Sequence, residues 1–192
     1  MVPRGPAGGN YTYVMTGASS SPFIVGAYQK GIRGFDFDMA YEALKKNHMP
    51  GVIMAKAGYE HATFLGGGLG HYIEEGYVPF PLPEGQFGYH QNGPSLPLEY
   101  AYQDWCLAQF AKALDKKEDY GYFMARSKNY KNVFDPTTGW VRPKNKIGEW
   151  LEPYDPFTHG LGFSEANGAQ NTWFVPHDLE GLSELMGGKA KA

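Results

Sequence analysis

Apolar positions recur every three to four residues through much of this chain, so the pattern predicts helices rather than strands. Ser21-Pro22 opens the first helix, with Ser21 as N-cap, Pro22 at the first helical position and Gly31 as the stop. Phe23, Ile24, Ala27 and Tyr28 supply its apolar face. Asp36 or Asp38 opens the second, where Met39, Ala40, Ala43 and Leu44 recur at helical spacing. Acids at its start and Lys45-Lys46 at its end complement the helix dipole. Ser95 caps the longest helix, Leu96–Leu114. Leu98, Tyr102, Trp105 and Gln109 line one stripe of it, and Ala101, Leu107, Ala108, Ala111 and Leu114 spread apolar character over the rest. A helix apolar on most sides is expected between two layers. Lys116-Lys117 turns the chain into a helix over Glu118–Phe134, giving an antiparallel helical hairpin. A last helix covers about Asp178–Met186, with Asp178 as its cap and Gly187-Gly188 after it.

Gly- and Pro-broken segments separate these helices. Residues 1–20 read as a leading loop. Residues 48–95 form a long connection with one short helical piece near Leu69–Glu75. It carries Tyr77, Phe80, Phe87, Tyr89 and His90, most of them expected to cover the core. Asp135–Gly139 is a turn, and Trp140, Val141 and Trp150 fit a short β-hairpin or an irregular excursion. The fold class that follows is all-α: paired antiparallel helices with long Gly-, Pro- and aromatic-rich loops.

Composition narrows the function. The 192 residues make one domain or a piece of a larger one, and 42% hydrophobic content permits a core. A net charge of -3 provides no basic field, so a nucleic-acid partner is not expected. Aromatics reach 16%, which suits carbohydrate contact as well as helix packing. The single cysteine, Cys106, excludes an intramolecular disulfide and reads as a small core residue rather than a nucleophile. No apolar run approaches the ~20 residues of a spanning helix, so no membrane partner is expected. The N-terminus lacks the apolar core of a secretory signal, which leaves a cytosolic protein or an internal piece of a longer exported one.

The chemistry concentrates in Ser164–Asp178, SEANGAQNTWFVPHD. A carboxylate (Glu165) among small residues stands beside side-chain amides (Asn167, Gln170, Asn171) and a tryptophan (Trp173). Sugars offer hydroxyls for hydrogen bonds and apolar faces for stacking, so this set fits a sugar site; it also fits a polar loop before a helix cap. His177-Asp178 is read as structural. Asp36, Asp38 and Glu42 would be a metal cluster only if they were more than ordinary acids at a helix start.

The ordered series GNYTYVMTG, PFIVGAYQKGIRGFD, AYEALKK, GYVP, LEYAYQDWCLAQFAKAL, KEDYGYFMARSKNYKNVFDPTTG and NTWFVPHDLEGLSELMGG resembles the catalytic domain of glycoside hydrolase family 92, the calcium-dependent exo-α-mannosidases. The resemblance covers nearly the whole chain, and LEYAYQDWC and TWFVPHD are its most specific segments. It implies that residues 1–192 are a single incomplete domain, the central part of an (α/α)6 barrel. The implied activity is hydrolysis of terminal α-mannosidic bonds in N-glycans or mannans with inversion, by a Glu acid and a downstream Asp base, with calcium helping to distort the ring.

The family's E-G-N-A-W-Q-Y-T-W-F-V-P-H-D motif aligns without gaps, which implies Glu165 as the general acid, with Asn167, Gln170 and Trp173 as substrate-binding candidates. Trp173 and Phe174 are expected to desolvate the acid. Two motif aromatics are replaced, by Ala169 and Asn171, and Ala18-Ser19 stand where the family has an aromatic or acid followed by His. The family's calcium segment and paired-Asp segment, both downstream in the motif order, have no counterpart here. The calcium ligands are therefore expected outside this chain, in missing N- and C-terminal parts of the parent, and the isolated chain is expected to be inactive. The substrate partner is a mannose-containing glycan. The parent is expected to be secreted, periplasmic or cell-surface, with the cytosol as the alternative. Two alternatives stay open: an amidase that deglycosylates N-glycoproteins, and a helical-repeat interaction module built on the Leu98–Phe134 hairpin.

Overall fold

The longest helix is the spine, as its all-round apolar pattern predicts. The computed structural model describes residues 6–7, 10–11, 17–50, 68–82 and 93–192. Their elements are β1 (Pro6–Ala7), β2 (Asn10–Tyr11), α1 (Ser20–Gln29), α2 (Phe37–Asn47), α3 (Leu69–Glu75), α4 (Ser95–Ala113) and α5 (Lys117–Arg126). A 3-10 helix (Asn129–Val133), β3 (Phe134–Asp135), β4 (Trp140–Val141), α6 (Gly168–Asn171) and α7 (Leu179–Leu185) follow. β1 pairs antiparallel with β2, and β3 with β4, in separate two-stranded ribbons. Of the aromatics expected in the long connection, Phe87, Tyr89 and His90 lie outside the described residues.

Three apolar clusters share α4. At its N-terminal end, Leu96 and Tyr100 pack with Leu69, Tyr72, Val78 and Ala18. From the same first turns, Leu98 and Ala101 join Tyr130, Val133, Phe163, Val175 and Leu182. At its C-terminal end, Leu107, Phe110 and Ala111 meet Val25, Tyr41, Leu44 and Phe123. Burial of an apolar side chain of this size stabilises by about 1.5–3 kcal/mol, so α4 holds most of the described elements together. Cys106 belongs to the third cluster, and burial pushes its thiol up to about 12, as expected of a core cysteine.

One polar network crosses this core. Asp104 on α4 takes a two-point ion pair from Arg126 on α5, Nε to Oδ2 at 2.8 Å and Nη2 to Oδ1 at 3.0 Å. Tyr72 on α3 donates its hydroxyl to the same carboxylate at 2.9 Å, and Arg126 Nη1 donates to the His48 carbonyl at 2.9 Å. His48 Nε2 in turn hydrogen-bonds Ser21 Oγ at 3.0 Å. Ser21, His48 and Asp104 stand in the order of a hydrolytic triad, but all three are fully buried, so they lock α1, α2 and α4 together rather than meet a substrate.

Several predicted boundaries shift. Ser19, not Ser21, is the N-cap of α1, and Ser21 lies inside the helix; Pro22 still falls in the first turn, where a missing N–H costs nothing. Gly31 ends α1 with φ +85°, donating its N–H to the Tyr28 carbonyl at 3.0 Å. Of the two acids that could open α2, Asp36 is the cap, its Oδ1 accepting from Met39 N at 2.9 Å. Val25, Tyr41 and Leu44 are the buried apolar residues of α1 and α2, whereas Phe23 and Met39 face outward. Pro94 precedes α4, and Ser95 is its first helical residue instead of its cap.

The helix expected over Glu118–Phe134 breaks after Arg126 into α5 and the 3-10 helix. At the break Ser127 Oγ donates to the Met124 carbonyl, and His177 takes the Ser127 carbonyl that a continued helix would use. Trp140 and Val141 do form the hairpin with β3, and Lys144 bridges Trp150 beyond it. Among the described residues no second copy of the α4–α5 pair follows, which is what a helical-repeat module would need.

Candidate active site

The segment carrying Glu165 is an irregular loop pinned at both flanks. Phe163 and Ala166 are buried in the central cluster, so the chain must turn outward between them. Several residues take left-handed backbone to do so, including Leu161 (φ +50°) and Glu165 (φ +52°). This conformation costs a non-glycine residue roughly 1–2 kcal/mol and persists only when the surroundings hold it. Ser95 does the holding from the first turn of α4. Its Oγ accepts from Ser164 N at 3.0 Å and donates to Asn171 Oδ1 at 2.6 Å, bridging both sides of Glu165.

The helical turn after the acid is stapled to the hairpin. Thr172 Oγ1 donates to the Gly168 carbonyl at 2.7 Å and accepts from Val141 N at 2.9 Å. Tyr154 OH donates to the Val141 carbonyl at 2.6 Å and sits where a Gly168 Cβ would fall, so glycine is required for this close approach. The hairpin is itself fixed by Arg142, which donates to Asp135 Oδ2 at 2.9 Å, pairs with Glu152 and donates to the Leu151 carbonyl. Asp135 also accepts two hydrogen bonds from Thr137, and these with Arg142 hold its carboxyl below the usual range against the opposing effect of burial.

Glu165 opens onto a cavity of about 250 Å³ lined by Ser95, Glu99, Ser164, Gln170, Asn171 and Phe174. Asn171, which replaces a motif aromatic, here serves as the acceptor for Ser95. Of the sequence-predicted sugar contacts, Gln170 lines the cavity. Asn167 is engaged in a capping box instead. Its Oδ1 accepts from Gln170 N at 2.9 Å, and Gln170 Oε1 accepts from Asn167 N at 3.1 Å. Asn167 Nδ2 donates to the Phe157 carbonyl at 3.3 Å. Trp173 does not reach this cavity. It lines another, of about 210 Å³, with Thr138, Gly139 and Trp140. The turn of α6 sends consecutive side chains in different directions, so Phe174 faces the acid's cavity and Trp173 points away. The expected cover of Glu165 by Trp173 is therefore absent, and the Glu165 side chain is exposed.

Glu99 was not singled out by sequence reasoning. It projects from α4 into the same cavity as Glu165, with its Oε2 accepting from Gln103 Nε2 at 3.0 Å. Burial pushes its carboxyl up to about 7, and the Gln103 hydrogen bond opposes this only in part. The available signal was a lone acid inside the apolar run LPLEYAY.

His177 and Asp178 are structural, as read. His177 Nε2 donates to the Ser127 carbonyl at 2.9 Å, and its ring packs among Tyr102, Trp105 and Tyr130. Burial holds its pKa below the usual histidine value. Asp178 caps α7 through Gly181 N at 3.2 Å and also accepts from Lys128 Nζ at 2.6 Å and Tyr130 OH at 2.7 Å. Asp36 is engaged as a cap and Glu42 pairs with Lys116. Among the described residues no group of three or more His, Cys, Asp or Glu side chains is gathered to hold a metal ion.

Comparison with known proteins gives a consistent answer. The model of the glycosyl hydrolase family 92 catalytic domain matches residues 1–192. A protein of Arthroderma benhamiae described as an uncharacterized secreted glycosidase is 28% identical over 209 residues, covering 93% of this chain and 26% of that protein. A family GH92 inverting mannosidase of Bacteroides thetaiotaomicron superposes with a TM-score of 0.80 at 34% identity, covering 95% of this chain and 23% of its own. A GH92 α-mannosidase of the same organism, solved in complex with mannoimidazole, gives 0.73 at 34% identity, over 91% of this chain and 21% of its own. The chain thus spans about a quarter of the length of the relatives it matches.

Proposed function

This chain belongs to glycosyl hydrolase family 92, and from that premise we propose that it is the acid-bearing part of an α-mannosidase that cleaves terminal α-mannosidic bonds with inversion. The carrying observation is Glu165, presented into a cavity by a left-handed loop that Ser95 holds from both sides. In this reading Glu165 donates its proton to the glycosidic oxygen as the bond from that oxygen to the anomeric carbon breaks. Water attacks the opposite face and gives its proton to a carboxylate base roughly 6.5–9.5 Å from the acid, as inversion requires. That base would lie in a part of the catalytic domain outside this chain. The (α/α)6 barrel is likewise a reading of the whole domain, to which α4–α5 would contribute a helical pair.

Gln170 would face the mannoside directly, and Asn167 would act through the cap that holds Gln170 in place. Trp173 would meet only what lies beyond the acid's cavity. Calcium, which the resemblance implies, would draw its ligands from outside the described residues, and its part there would be to help distort the sugar ring. The exposed Phe23, Met39, Trp173 and Leu179 support the reading that further parts of a domain pack on this one. The relative described as secreted supports export of the parent; no helix among the described residues is long and apolar enough to cross a membrane.

The test is hydrolysis of α-mannobiosides by the complete chain that carries this sequence, with the released anomer followed by proton NMR. β-Mannose as first product is expected, with Glu165→Gln abolishing turnover while binding persists. α-Mannose as first product, or an active Glu165→Gln variant, would overturn the assignment. Release of ammonia and an aspartyl peptide from a glycopeptide would favour the amidase instead. Calcium-dependent mannosidase activity in the isolated 192 residues would sink the expectation that this part alone is inactive.

A further inference from the structure

Glu99 occupies a position whose cost the fold itself does not explain. It is half-buried on the first turns of α4, and among the described residues no cation pairs with it. A carboxyl partly withdrawn from water without a cation is unfavourable, and such groups concentrate where they have work to do on a ligand. Its geometry is also prepared. Gln103 is buried and fixed at its Oε1 by Ala18 N at 2.8 Å, which aims its Nε2 at Glu99 Oε2. Gly17 comes so close that a Cβ there would lie 3.0 Å from that same oxygen, so the carboxyl is walled in on the Oε2 side. Glu99 and Glu165 both line the one cavity.

We infer that Glu99 is a substrate-contacting residue of this cavity, its Oε1 hydrogen-bonding a hydroxyl of the same sugar whose glycosidic oxygen Glu165 protonates. This rests on the mannosidase reading and adds a second carboxyl with a different duty. Glu165 acts on the bond to the leaving group, and Glu99 holds the ring. Loss of the Glu99 contact should therefore weaken binding of every substrate carrying that ring, whatever the leaving group. In its protonated form the carboxyl can both donate to and accept from a hydroxyl.

The experiment measures kcat and KM of the complete chain on 4-nitrophenyl α-mannoside and on an α-mannobioside, for the wild type and the Glu165→Gln, Glu99→Ala and Glu99→Gln variants. Glu99→Ala is expected to raise KM about tenfold or more on both substrates with kcat changed much less. Glu99→Gln keeps a donor and an acceptor and is expected to restore KM to within about threefold of the wild type. Glu165→Gln should lose the mannobioside far more than the aryl mannoside. Wild-type KM values in Glu99→Ala would overturn the inference, as would a kcat loss confined to the mannobioside. So would equal impairment of both Glu99 variants with a matching fall in melting temperature, since that marks packing alone. A wild-type chain that turns over neither mannoside would overturn the mannosidase reading, and this inference with it.

Discussion

Ser95 Oγ donates to Asn171 Oδ1 at 2.6 Å, across 76 positions of sequence, while accepting from the backbone N–H of Ser164. One hydroxyl on α4 thus closes the loop around Glu165 from both ends. Ser95→Ala should cost about 1–2 kcal/mol in denaturant unfolding, because it leaves Ser164 N and Asn171 Oδ1 without their partner. It should also lower kcat of the complete chain, since the left-handed Glu165 loses a support. Asn171→Ala should do less, because Ser95 can still accept from Ser164; equal effects from the two would count against the bridge.

Gly168→Ala places a methyl group 1.9 Å from the Tyr154 hydroxyl and 3.1 Å from the Val141 carbonyl. We expect a loss of about 1–3 kcal/mol, as for other overpacked sites. Tyr154→Phe in the same chain should return part of it by removing the clashing oxygen. A double variant no more stable than Gly168→Ala would show that the Val141 carbonyl, not Tyr154, sets the limit.

The Asp104–Arg126 pair is fully enclosed. Asp104→Ala leaves a buried guanidinium without its carboxylate and should cost about 3–5 kcal/mol. Asp104→Ala combined with Arg126→Met should be less damaging than Asp104→Ala alone. Thermal melts of the two variants beside the wild type decide this.

Acid stability should follow Asp178. Lys128 and Tyr130 hold its carboxyl at about 2, below its ordinary 3.8, against the effect of burial. A depressed folded-state pKa stabilises fully above the unfolded value and is lost as pH falls through the folded one. The contribution, about 2 kcal/mol at most given the exposed Lys128, should disappear between about pH 4 and pH 2. Asp178→Asn should flatten the unfolding profile in that window.

Glu99 has the opposite sign. Its carboxyl is raised from 4.5 to about 7, so above pH 4.5 the unfolded chain releases a proton that the folded chain keeps. Stability from this group is full below 4.5, falls as pH rises and levels off above about 7, a change of about 2–3 kcal/mol. Glu99→Gln should remove that decline and be the more stable protein at pH 8. A profile identical to the wild type would show that Glu99 titrates normally.

Much of this was legible along the chain. The apolar spacing placed α1, α2, α4 and α7 to within a few residues, because a helix in a core needs that period wherever its partner lies. Asp178 was legible as a cap, and Asp36 as one of two acids that could open α2, because capping is a contact three residues long. Cys106 was legible as core from its apolar neighbours, and Glu165 and Gln170, five positions apart in one polar stretch, line one cavity.

What the sequence could not carry was which segment stands opposite which. Ser95 has the residue type and place of a cap, and only the packing of the 160–171 loop on α4 makes it the clamp on Glu165. Asn167 and Gln170 bind each other, because a single helical turn brings an N-cap back to its own third residue. Trp173 and Phe174 are neighbours in sequence yet face different cavities. Glu99 and Glu165 are 66 positions apart and share one. Periodicity reports which face of an element is buried; the identity of what it is buried against depends on long-range packing, and a hydrogen bond across that packing leaves no mark on local sequence.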